Sequence, residues 1–166
     1  MDRNEPVRIL FVCLGNICRS PLAEGVFQSL VDDAGLSEAI EIDSAGTGNW
    51  HVGEKADRRM RETSARHGVV LTSRARQIDR SDFSSFDRIL AMDKSNLHDI
   101  LFLDRDGSYA DRVRLFREYD PEPGDYQVPD PYYGGPDGFE TVYRIVDRTA
   151  RALLDDIRSA YGLTAT

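Results

Sequence analysis

The amino-acid sequence predicts an α/β domain in which a parallel sheet of four strands is covered by helices on both faces. Two observations carry that expectation. Residues 7–12 (VRILFV) are nearly unbroken in apolar character, as suits a strand buried on both faces of a parallel sheet. Apolar runs of strand length then alternate with longer stretches of helical periodicity to the end of the chain.

Taken in order, the first strand feeds a loop that ends at Ser20 and Pro21. Serine is a good helix N-cap, and proline suits the first helical position because its φ is fixed and it lacks an N–H. Leu22, Val26, Leu30 and Ala34, with Phe27 and Val31 beside them, mark one face of that helix, and Gly35 supplies a stop. Residues 40–47 alternate like a strand and then break into Gly46, Gly48 and Asn49, completing a βαβ unit. Residues 57–67 read as a helix ending at Gly68, with Arg58, Arg59, Arg61 and Arg66 on solvent faces. Residues 86–92 form the third strand, and Asp93 is an N-cap for a helix that buries Leu97, Ile100 and Leu101. Residues 113–116 read as a short edge strand. The last helix opens at Asp137, with Glu140 in the capping-box position, and buries Phe139, Val142, Ile145, Val146, Leu153, Leu154 and Ile157 as core. With 166 residues and no linker, residues 1–166 are expected to form one domain.

Composition narrows the function. A formal net charge of -8, with neither a basic stripe nor a Lys/Arg block, argues against general affinity for nucleic acid or anionic membranes. The chain starts with charged residues and its longest apolar runs have strand length, so no membrane insertion and a cytoplasmic location are expected. The two cysteines, Cys13 and Cys18, are not the even framework of a secreted disulfide scaffold. A zinc site would need two more ligands from His51, His67 or His98, which are scattered singly, so no metal or other cofactor is expected.

The chemistry concentrates in residues 12–21 (VCLGNICRSP), a strand–loop–helix corner. Such a corner aims backbone N–H groups and the positive end of a helix dipole into the loop, and so suits an anion such as phosphate. Cys13 opens the loop and Arg19 closes it, with Leu14, Gly15, Asn16, Ile17 and Cys18 between them. Amides, a helix N-terminus and a guanidinium favour the thiolate of Cys13, and the planar fork of Arg19 can grip two phosphoryl oxygens at once. Ser20 has two compatible duties, capping the helix and donating a hydrogen bond to the Cys13 sulfur. A Walker loop is excluded because no Gly-Lys-Ser/Thr is present. Further on, Asp130 stands between Pro129 and Pro131, which restrict its backbone. A carboxylate so presented either caps a turn or serves as an acid for a leaving group, and no histidine sits in a matching place. Because carboxyl ends of neighbouring parallel strands open on one crevice, Ser44 and the loop carrying Trp50 are expected to arrive near Cys13. Packing and recognition are both open for that tryptophan, the only one in the chain.

Residues 12–24 (VCLGNICRSPLAE) resemble the signature of the low-molecular-weight protein tyrosine phosphatases, and further matches extend along nearly the whole chain. The resemblance implies the flavodoxin-like strand order 2-1-3-4. It also implies hydrolysis of phosphotyrosine through a cysteinyl-phosphate on Cys13, with Arg19 as phosphate clamp and Asp130, in its Asp-Pro-Tyr-Tyr context, as general acid and base. Ser44 then braces Asn16, and Trp50 forms a wall of the pocket. Tyr132 and Tyr133 add further wall, are ordinary rim residues, or are themselves sites of phosphorylation. Cys18 becomes a reversible disulfide partner of Cys13, with simple burial as its rival reading. Tyrosine-phosphorylated proteins are the implied substrates, inorganic phosphate the product, a cognate tyrosine kinase a partner, and a monomer or weak dimer the expected state. The chain departs from the pattern at Ser73, where many members have a histidine that helps hold the phosphate loop. Two rival functions fit less well. Thiol-dependent arsenate reduction needs downstream cysteines, and none follows Cys18, while a non-catalytic phosphopeptide-binding module gives no reason for Cys13 and Asp130.

Overall fold

The computed structural model describes residues 4–131 and 136–165. Strand β1 (Val7–Cys13) leads into helix α1 (Arg19–Asp33), followed by strand β2 (Ile40–Gly46) and helix α2 (Arg58–Arg66). A short helix α3 (Ser81–Ser85) precedes strand β3 (Arg88–Ala91), helix α4 (Lys94–Leu103), strand β4 (Val113–Leu115) and the long helix α5 (Pro136–Tyr161). Two 3-10 turns, Ala110–Arg112 and Phe116–Tyr119, flank β4.

The four strands pair in parallel in the order β2-β1-β3-β4, as expected, with β4 at an edge. Alternate residues of β1 enter two different cores, which is why its sequence is apolar on both faces. Ile9 and Phe11 pack with Leu22, Val26 and Phe27 of α1 and Val142, Val146 and Leu153 of α5. There the Phe11 ring meets Phe27 and Phe116 edge-on, at centroid distances of 5.8 and 5.3 Å. Leu10 and Val12 pack with Ile89, with Phe83 of α3 and with Ile100 of α4 on the opposite side. The result is three layers. The register sets Cys13 beside Gly46 at the carboxyl end of the sheet, with Met92 and Asp93 following β3 at the same end.

Several local expectations need correction, among them Leu101, which is exposed on α4 where its spacing placed it in the core. Helix α1 begins at Arg19 with Cys18 as N-cap and no side-chain cap, so Ser20 lies inside the first turn, its hydroxyl turned to Cys13 instead. The third strand is shorter than residues 86–92, and α3 before it was not anticipated, because five residues give too little periodicity to read. Helix α5 opens at Pro136, not Asp137, and Glu140 pairs with His67 at 2.7 Å across the end of α2.

Candidate active site

The loop between β1 and α1 builds a cleft of about 330 Å³ lined by Cys13, Leu14, Gly15, Ile17, Cys18, Arg19, Trp50, His51 and Asp130. The loop is shaped from outside. Carbonyls of Cys13, Leu14 and Ile17 accept from the amides of Thr47, Gly48 and Asp57 at 2.9, 2.9 and 2.7 Å. With those carbonyls engaged outward, the loop amides and the start of α1 are left to serve the cleft. One of them, Asn16 N–H, reaches the Cys13 sulfur at 3.3 Å.

Asn16 is the internal brace. Its backbone is left-handed at φ 56°, a conformation asparagine tolerates better than most residues, and its side chain is buried. The side-chain NH2 donates to Ser20 Oγ at 2.8 Å and to Ser44 Oγ at 3.0 Å, and its carbonyl oxygen accepts from Arg76 N–H at 3.0 Å. Ser20 Oγ also lies 2.9 Å from Cys13 Sγ and 3.4 Å from the Ala45 carbonyl, so its one proton is within reach of the sulfur when that sulfur is ionised. Ser44 passes its own proton on to Glu24 at 2.5 Å. Burial pushes the Glu24 carboxyl above its ordinary range, against hydrogen bonds from Ser44 and Ser73. Ser73, in the position of the expected histidine, favours the charged form of Glu24.

Arg19 is almost wholly buried at the cleft floor. Its Nη1 donates to Asp93 Oδ2 at 2.6 Å and to the Val128 carbonyl at 3.0 Å, while Nη2 lies 3.6 Å from Asp130 Oδ2. Burial works against its charge, but Cys13, Asp93 and Asp130 more than compensate, so it stays cationic. Asp130 is partly exposed at the same mouth, its side chain 30% accessible. Cys18 differs from Cys13 in surroundings. Burial, then the charges of Asp57 and Cys13, push its thiol strongly upward and keep it protonated. Both cysteines are free thiols.

This arrangement can hold a tetrahedral anion against a sulfur, with a carboxyl on the exit side. Residues 8–161 match the family described as low molecular weight phosphotyrosine protein phosphatase. The chain belongs to that family. A low molecular weight protein-tyrosine-phosphatase of Streptomyces coelicolor is 49% identical over 91% of this chain and 93% of its own length. The human low molecular weight phosphotyrosine protein phosphatase is 44% identical over 89% of this chain and 93% of its own. Among solved structures, a protein tyrosine phosphatase from Entamoeba histolytica with Hepes in the active site superposes with a TM-score of 0.89 at 37% identity, covering 93% of this chain and 98% of that one.

Of the site residues expected in this phosphatase chain, Cys13, Arg19, Asp130 and Trp50 meet at one cleft, and Ser44 bonds Asn16 as the resemblance implied. Tyr132 and Tyr133 lie outside the described residues. Sequence reasoning assigned Asp93 only to capping α4, which it does by accepting from Asn96 N–H at 2.7 Å. Its bond to Arg19 was missed, although its place just after a parallel strand pointed to the shared crevice. His51, whose Nδ1 pairs with Glu54 at 2.5 Å, was also missed as a wall of the cleft. No spacing signal marks it.

Proposed function

We propose that this phosphatase hydrolyses aryl phosphate monoesters, phosphotyrosine in proteins above all, through a cysteinyl-phosphate on Cys13. The observation that carries this reading is the convergence of Cys13, Arg19 and Asp130 on one cleft walled by Trp50. In the first step the Cys13 thiolate attacks phosphorus in line. The S–P bond forms as the P–O bond to the phenol breaks, and Asp130 gives its proton to the departing oxygen. Loop amides and Arg19 gather the charge on the three equatorial oxygens. In the second step water attacks phosphorus, its proton passes to Asp130, and the S–P bond breaks to return the thiolate and release inorganic phosphate. Depth favours phosphotyrosine, since a flat ring can lie along Trp50 while its phosphate reaches the buried sulfur.

Cys18 serves as the resolving thiol when peroxide oxidises Cys13. The sulfenic acid condenses with the Cys18 S–H, releasing water and a reversible disulfide. Tyrosine-phosphorylated proteins and the kinase that forms them are the partners of this reading, in the cytoplasm, with a monomer or weak dimer as the working state. Among the described residues, no helix is long and apolar enough to cross a membrane.

The test is hydrolysis of p-nitrophenyl phosphate by the wild type, Cys13→Ser and Asp130→Ala, with and without EDTA. Cys13→Ser is expected to lose at least about a thousandfold in kcat and Asp130→Ala about a hundredfold, with EDTA having no effect. Turnover that survives Cys13→Ser removes the mechanism.

A further inference from the structure

Asp130 ends a segment, residues 120–130, that contains neither helix nor strand. Flanking prolines restrict the backbone at that point but do not fix where the segment lies. What lies beneath it is Arg117, a buried arginine on the 3-10 turn Phe116–Tyr119.

All three guanidinium nitrogens of Arg117 are used, and all on this one segment. Nε donates to Asp120 Oδ2 at 2.9 Å, Nη2 to the Glu122 carbonyl at 2.7 Å, and Nη1 to the Gln127 carbonyl at 2.6 Å. The turn between them wraps the guanidinium closely. Gly124 sits there at φ 54°, and a Cβ on it would lie 3.5 Å from Arg117 Nη2. The residue after Gln127 is Val128, whose N–H donates to the Met92 carbonyl at 2.8 Å and whose carbonyl accepts from Arg19 at 3.0 Å. Consecutive carbonyls, those of Gln127 and Val128, are therefore held by two arginines, one outside the cleft and one on its floor. Asp130 follows two residues later.

We propose that Arg117 is a positioning residue for the general acid: its guanidinium is the peg around which residues 120–127 close, and it thereby sets where the Asp130 carboxyl stands relative to the leaving oxygen. The proposal rests on the reading of Asp130 as that acid. Only a planar three-nitrogen fork can serve an acceptor on each side of the loop and a carboxylate at its base, so lysine is a poor substitute. Asp120 keeps a second partner in Arg148, with bonds of 2.7 and 2.9 Å, so removal of Arg117 does not strand a buried carboxylate.

The test compares Arg117→Met and Arg117→Lys with the wild type, Asp130→Asn and the double variant Arg117→Met/Asp130→Asn. kcat/KM is measured on phenyl phosphate, whose basic leaving group needs a proton, and on p-nitrophenyl phosphate, whose leaving group needs it far less. Arg117→Met is expected to lose about tenfold or more on phenyl phosphate and about threefold or less on p-nitrophenyl phosphate, with Arg117→Lys between it and the wild type. Adding Arg117→Met to Asp130→Asn should leave the ratio of the two substrates unchanged, since the group being positioned is already gone. A purely structural role would lower both substrates by one common factor, that of the folded fraction, and would overturn the proposal. So would an unchanged ratio in Arg117→Lys if Arg117→Met does not fold. Should Asp130→Asn itself fail to alter the ratio, the assignment of the acid falls first and the proposal with it, an outcome distinct from failure of Arg117 alone.

Discussion

Ser20 shows how one hydroxyl acquires a task through its neighbours. It accepts from Asn16, and its one proton can be donated to the Cys13 sulfur, 2.9 Å away, once that sulfur is a thiolate and can only accept. A hydrogen bond to a charged atom is stronger than one to a neutral atom, so in the proposed cycle it stabilises the thiolate as nucleophile and, more importantly, as leaving group from the phosphoenzyme. Ser20→Ala is accordingly expected to slow kcat by about 10- to 100-fold, with the phosphoenzyme accumulating as a burst of phenol in rapid-mixing experiments. A steady rate without a burst would show that the serine does not act on the second step. Asp93 is a second residue with two duties, capping α4 and orienting the Arg19 fork, both from one carboxylate with separate oxygens.

At the scale of elements, the corner between β1 and α1 works only because β2 ends beside it. The register sets Gly46 against Cys13, and a Cβ at Gly46 would fall 2.8 Å from the Leu14 carbonyl oxygen and 3.2 Å from Asn16 Cβ. Backbone atoms cannot step aside as a flexible side chain can, so Gly46→Ala must push the phosphate loop itself. Such overpacking costs about 1–3 kcal/mol, and here the strain enters at the binding site. The expected result is a lowered Tm together with weaker inhibition by inorganic phosphate and a kcat/KM reduced about tenfold or more. Unchanged phosphate inhibition would mean that the loop is not seated on the end of this strand.

Across the whole molecule, a net charge of -8 coexists with an anion site because the site draws on a buried guanidinium, Arg19, and not on the overall charge. Charge is likewise paired locally in the ion cluster of Asp120, Arg117 and Arg148 that ties residues 120–130 to α5. Burial is the largest influence on Asp120 and works against its charge, but bonds from Arg148, the Glu122 amide and Arg117 outweigh it and hold its pKa down to about 2. A carboxylate depressed in the folded state contributes stability that is complete above its unfolded value of about 3.9 and is lost as the pH falls toward 2. Asp120→Asn should therefore be less stable than the wild type at neutral pH, yet lose less stability between about pH 4 and pH 2. Thermal unfolding across that range checks it, and parallel pH profiles for the two proteins would contradict it.

Much of this was readable in the chain alone. Continuous apolarity in β1, the helical spacing of Leu22, Val26 and Phe27, and the glycine stops determined an α/β sheet, because burial and periodicity are local properties of sequence. Cys13, Arg19 and Asp130 were legible because each stands in a motif whose chemistry explains its company. The partners of Arg19 could not be read this way: Asp93 lies 74 positions away and Val128 lies 109. The Asn16–Ser44–Glu24 relay and the loop wound on Arg117 were hidden for the same reason. Hydrogen bonds over such separations depend on which strand ends the crossovers bring together, and only the packed sheet in the order β2-β1-β3-β4 decides that.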